Sequence, residues 1–180
     1  AGNAKGLDYY LEKFGADVLR LWVASQENSK DAVFSETKLT EMQTLYSRLR
    51  LTLRFLTSNL YDYDLNEHEK LWSLYKNQEG FDLGRYVLTE VNKLNNVFMN
   101  SFRKYDFKTP LENLYEFTNK TLSNFFFDCV KNPLYLRKLK SEDRLKLQVA
   151  MFELLKAMFD MVKVYAPFVA EEFYLDFFRN

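Results

Sequence analysis

Leu39, Met42, Tyr46, Leu49, Leu53, Leu56 and Leu60 are spaced three or four residues apart, which lays one continuous apolar stripe along a single helix. A second stripe, Leu147, Met151, Leu154, Met158, Met161 and Tyr165, is widened by Phe152, Leu155, Phe159 and Val162. A helix apolar over so much of its circumference belongs at the centre of a fold. No segment alternates with period two for long, and only five Gly and three Pro punctuate the 180 residues. The expected fold is all-α: an antiparallel helical bundle with a small junction element at its N-terminus.

Helix boundaries follow from local chemistry. Ser35 is expected to cap the first long helix, and Asn59 to cap its C-terminus. Asn66 with Glu69 reads as a capping box for a second helix ending near Gly80. A third should run from about Asp82 to Lys104, with Leu83, Val87, Val91, Leu94 and Phe98 on one side. Thr109, Pro110 and Glu112 suit the N-cap, N1 and N3 positions of a fourth. That helix should stop near Lys131, because Pro133 disfavours helical dihedrals at Asn132. The fifth should start after Ser141, where Glu142 and Asp143 suit the helix dipole, and end at Pro167. A short helix around Ala170 to Phe178, opened by Glu171 and Glu172, closes the chain. Residues 1–34, with short helices near Leu7 to Phe14 and Ala16 to Ala24, form the junction element, and residues 35–180 form the bundle.

Composition excludes several functions. One cysteine, Cys129, rules out an intrachain disulfide and fits a reducing compartment. One histidine, His68, leaves no His/Cys cluster for zinc. No signal-peptide pattern and no membrane-length apolar run is visible, so a cytoplasmic chain is expected. Twenty-five basic and 25 acidic residues balance, which argues against a uniformly basic, nucleic-acid-coating surface. The distribution is polarised, however: residues 131–146 carry a net +4, residues 38–54 a net +3, and residues 61–69 a net −4. His68 reads as a surface residue and Cys129 as a small buried one. Phe14, Trp22 and the run Phe125-Phe126-Phe127 read as packing residues.

Several segments resemble a known family, in order along the chain. Ala1-Gly2-Asn3 is similar to the tail of a K-M-S-K-S-x-G-N loop. Gly15-Ala16-Asp17, then Leu19-Arg20-Leu21-Trp22 and Val23-Ala24-Ser25, resemble the stretch that follows the catalytic domain of class I aminoacyl-tRNA synthetases in their isoleucyl form. Lys30 to Ser35 is similar to that family's R-D-V-R-I-S. Tyr46 to Asp64 is similar to Y-R-K-I-R-N-T-L-R-F-L-L-G-N-L-Y-D-F-D. Tyr105-Asp106-Phe107, the run Leu122 to Tyr135 and Ala170-Glu171-Glu172 continue the likeness, which leans toward bacterial isoleucyl enzymes. The chain departs from the pattern at Leu51, Pro133 and Val164, and the first two remove polar groups from positions near RNA-facing candidates.

The resemblance implies an anticodon-binding domain whose parent joins isoleucine to its tRNA using ATP and magnesium. This chain lacks the H-I-G-H motif, the K-M-S-K-S core and a C-terminal cysteine cluster, so no catalytic residue, metal or cofactor is expected in it. Its implied partners are the anticodon stem-loop of tRNA-Ile and the catalytic and C-terminal domains of the parent. A valyl or leucyl equivalent and a helical protein-interaction domain without RNA contact are the alternatives.

Candidate RNA contacts are Lys38, Arg48, Arg50 and Arg54 on the first long helix, and Lys131, Tyr135, Arg137, Lys138 and Lys140 in the basic stretch. Arg50 and Arg54 share a helix face, and either touch tRNA backbone phosphates, form a solvated face, or brace the bundle against the junction element. The Lys131–Lys146 stretch is either a phosphate-contacting surface or an ordinary charged loop. Tyr135 either stacks on an unpaired base or anchors the loop.

Overall fold

The computed structural model describes residues 5–27, 34–139 and 141–179. Among the described residues there is no strand. The helices are α1 (Leu7–Phe14), α2 (Ala16–Ala24), α3 (Glu36–Ser58), α4 (His68–Lys76), α5 (Leu83–Phe102), α6 (Lys108–Glu116), α7 (Phe127–Leu136), α8 (Glu142–Tyr165) and α9 (Pro167–Arg179). A π-helical segment, Phe117–Phe126, joins α6 to α7, and a 3-10 turn, Leu65–Glu67, leads into α4.

The long helices run alternately up and down. α3 leaves the junction, and its C-terminal end meets the start of α8, where Gln148 donates to the Asn59 carbonyl. α5 begins beside that same end of α8 and returns, so that Phe98 and Phe102 reach Tyr165. α6 starts where Tyr165 donates to the Phe107 carbonyl, and the path through α7 ends near Leu83 and Leu147. α8 runs back to the junction, and α9 descends again along α3 and α8. The bundle therefore has a junction end and a distal end. α8 is the hub, in contact with α2, α3, α4, α5, α7 and α9, and every residue of its expected stripe is buried.

Glycine is used where geometry requires it. Gly15 has φ 81° and lets α1 stop and α2 start with one residue between them. At Gly84 an added Cβ would lie 2.6 Å from the Ala150 Cβ, so any larger residue would push α5 off α8.

Ser35 caps α3 by accepting from the Lys38 N–H, and Asn59 follows its last turn. Asp82 caps α5 through the Arg85 N–H and also accepts from the Tyr75 hydroxyl. Other boundaries differ from the sequence reading. The turn before α4 is capped by Asp64, which accepts from the Asn66 N–H, so Asn66 does not start that helix. α6 begins at Lys108, with Asp106 accepting from the Thr109 N–H. A carboxylate two residues before the helix thus takes the capping role expected of Thr109. The last helix starts at Pro167, which places Glu171 and Glu172 inside it.

α7 runs through Pro133 to Leu136 where a stop near Lys131 is expected from sequence. Val130 and Leu134 lie on the buried face, and burying Leu134 offsets the hydrogen bond that Pro133 cannot make. The π segment explains a second difference. Its wide turns put more residues in each turn than an α-helix holds, so a 3.6-residue count carried through it drifts. Phe126 and Phe127 are buried, the latter stacked on Phe55 at 4.0 Å, while Phe125 faces outward against Tyr86. Cys129, four residues after Phe125, is exposed for the same reason.

His68 is buried although its sequence neighbours are acidic and polar. The ring bonds the Tyr63 hydroxyl through Nδ1 and Glu153 through Nε2, each at 2.7 Å, and packs edge-on against Phe152. Asp62 from the acidic run accepts from both Arg144 and Gln148 at 2.8 Å. The two oppositely charged sequence stretches therefore partly neutralise one another inside the fold.

Candidate nucleic-acid interface

At the distal end α7 finishes at Leu136, and Arg137 leaves it with extended backbone dihedrals. Leu134 is the last inward anchor, so the residues after it project into solvent. Tyr135 is 63% exposed, and Arg137 and Lys138 are exposed beside Leu136 and Leu139. Lys131 is exposed one turn earlier and donates to Asp128 at 2.6 Å. Such a surface i,i+3 pair is weak enough for a phosphate to replace. This end thus presents Lys131, Arg137, Lys138 and an open aromatic ring together. Arg144 is buried against Asp62 and adds no free charge to that surface, and Lys146 pairs with Glu142. Lys140 lies outside the described residues.

A groove of about 770 Å³ runs between the second half of α3, the turn after it and α9. Arg50 and Arg54 line it with Tyr61, Asp64, Glu172 and Asp176. Arg50 is engaged: its two terminal nitrogens donate to the two Glu172 oxygens, each at 2.6 Å. Its guanidinium also lies 5.3 Å from the Phe173 ring centre. The hydrogen bonds from Arg50 hold the Glu172 carboxyl below the usual carboxylate range, and the same bonds raise the Arg50 pKa. Arg54, one turn on, is exposed.

The remaining α3 candidates lie elsewhere. Arg48 is two residues from Arg50 and so faces another side of the helix, and its Nε is buried without a hydrogen-bond partner. Lys38 is exposed near the junction end, about 24 Å of helix from Arg54. The eight described candidates therefore do not form one patch.

Sequence reasoning missed a polar clamp at the junction. Asp17 is buried and accepts from the backbone N–H groups of Phe168 and Val169, while Arg20 donates to the carbonyls of Tyr165 and Val164. An acid and a base three apart on a short helix was the available signal. The contact with α9 lies some 150 residues away, so no local pattern could reveal its target. Among the described residues no three His, Cys, Asp or Glu side chains converge to hold a metal, and no helix is long and apolar enough to cross a membrane.

Residues 84–180, just over half of the chain, match the family described as the anticodon-binding domain of tRNA ligase. Similar proteins include the isoleucine–tRNA ligase of Geobacillus kaustophilus, 32% identical over 162 residues, covering 90% of this chain and 17% of that protein. That of Cupriavidus pinatubonensis is 32% identical over 171 residues, covering 95% of this chain and 17% of the relative. That of Pelagibacter ubique is 36% identical over 176 residues, covering 96% and 19%. The chain spans less than a fifth of the length of these curated relatives.

Proposed function

The chain belongs to the anticodon-binding domain family of tRNA ligases, and from that premise we propose that it holds the anticodon arm of tRNA-Ile for an isoleucine–tRNA ligase. The observation that carries the reading is the distal surface of Tyr135, Arg137 and Lys138. It sets an exposed ring beside solvent-facing cations at one end of a rigid bundle. Cations there bind phosphates and fix the register of the RNA, and Tyr135 offers a face on which an unpaired base stacks. The isoleucyl identity is supported by the names of the relatives, which align with nearly the whole chain.

In this reading residues 1–34 are the junction to a catalytic part, and residues 35–180 are the binding domain. Activation of isoleucine with ATP and magnesium belongs to that catalytic part, and the domain contributes binding and orientation in the cytoplasm. Its residues perform no covalent step.

Titration with tRNA-Ile, tRNA-Val and tRNA-Leu transcripts at two salt concentrations tests the reading. tRNA-Ile should bind most tightly, with affinity falling as salt rises. Equal affinity for all three would reject the isoleucyl assignment, and absence of binding to any of them would reject the RNA-binding one.

A further inference from the structure

We propose that Arg50 is a phosphate-binding residue held in reserve by Glu172, whose carboxylate fills the guanidinium fork until the backbone of an RNA strand entering the α3–α9 groove displaces it. The inference rests on the anticodon-arm reading and concerns a site that the distal cations do not explain.

Geometry supports the exchange. A carboxylate and a phosphate present the same pair of oxygens to a guanidinium, and Glu172 takes both terminal nitrogens of Arg50 at 2.6 Å. Phe173 beneath the guanidinium holds it flat, so the fork is pre-shaped for the incoming group. Both side chains are reachable, at 38% and 46% exposure, and an exposed pair costs little to break. Arg54 lines the same groove and is exposed, so a phosphate at Arg50 has a second cation close by. At about 770 Å³ the groove lies within the size range of ligand sites and is open to a strand.

Charge gives the arrangement its purpose. With Glu172 in place the carboxylates of Asp64 and Glu172 face Arg50 and Arg54, so a lone anion meets no net positive charge in the groove. A phosphate concentrated there by an RNA anchored at the distal end competes with the carboxylate more effectively than a lone anion does. Glu172 therefore biases the groove toward phosphates on an RNA already anchored at the distal end.

The test measures binding of a tRNA-Ile anticodon stem-loop transcript to the full chain and to four variants: Glu172→Gln, Glu171→Gln, Arg50→Gln and the double variant Arg50→Gln with Glu172→Gln. Glu171 neighbours Glu172 on α9 and is exposed, so it controls for the general loss of one negative charge. Glu172→Gln should tighten binding roughly two- to fivefold, more than Glu171→Gln does. It should also steepen the salt dependence by at most the roughly 0.7–0.9 that one added phosphate contact supplies. The gain should vanish in the double variant. A brace without a binding role would instead show weaker or unchanged RNA affinity in Glu172→Gln. Binding by every variant with no gain that depends on Arg50 overturns the reserve role alone. Binding by none overturns it together with the anticodon-arm reading.

Discussion

Asp17 and Val169 are joined across 152 residues: the carboxylate of Asp17 accepts the Val169 backbone N–H at 2.8 Å, and its other oxygen accepts that of Phe168. These amides belong to the first turn of α9, where helical donors have no partner within the helix. Pro167, the first residue of α9, has no N–H to satisfy. One turn along α2, Arg20 donates to the carbonyls of Tyr165 and Val164, at the last turn of α8. A negative group thus sits at the positive end of α9 and a positive group at the negative end of α8. The two side chains hold the corner at Ala166 and fix α2 to the bundle.

Replacing Asp17 by Ala leaves two first-turn amides of α9 without acceptors. It should cost about 1–3 kcal/mol, with Asp17→Asn costing less because an amide oxygen still accepts. Chemical denaturation gives the number, and hydrogen exchange at Phe168 and Val169 should accelerate selectively.

His68, at the start of α4, bonds Glu153 of α8 and, in a buried contact, Tyr63 of the turn after α3. His68→Leu keeps the bulk but leaves the Tyr63 hydroxyl and Glu153 without that partner, and should cost about 1–3 kcal/mol. A surface residue would lose less than about 0.5 kcal/mol, so urea unfolding of this one variant separates the two placements.

The Arg50–Glu172 pair sets a pH dependence. Arg50 lowers the folded-state pKa of Glu172, so the stability it lends is fully present above the unfolded carboxylate pKa and is lost as pH falls through the folded one. The pair is partly exposed and screened, so the effect is about 0.5 kcal/mol. The thermal midpoints of wild type and Glu172→Gln should differ at pH 7 and converge below the folded-state pKa of Glu172. A constant gap across acid pH would remove the assignment.

The bundle was legible because its helices bury stripes that obey one period: Leu39 to Leu60 and Leu147 to Tyr165 are where the spacing puts them. Cys129 was misread because the π segment changes that period without a sequence mark. His68 was read by the charge of its neighbours, yet its partner Glu153 comes from a helix more than 80 residues on. At the distal candidate surface, Arg137 and Lys138 are as exposed as a connecting loop suggests. Arg50 is paired with Glu172, because local sequence cannot tell a free cation from one that faces another helix.

The central claim is that the distal surface around Tyr135 grips RNA, and one titration addresses it directly. The affinity of a tRNA-Ile anticodon stem-loop is measured for wild type, for Tyr135→Ala and for Arg137→Ala combined with Lys138→Ala, each across a salt series. Loss of the ring should cost about 1–3 kcal/mol with the salt slope nearly unchanged, since stacking releases no counterions. Loss of both cations should weaken binding and flatten the slope by about 0.7–0.9 for each phosphate contact removed. Wild-type affinity and slope in both variants would contradict the account.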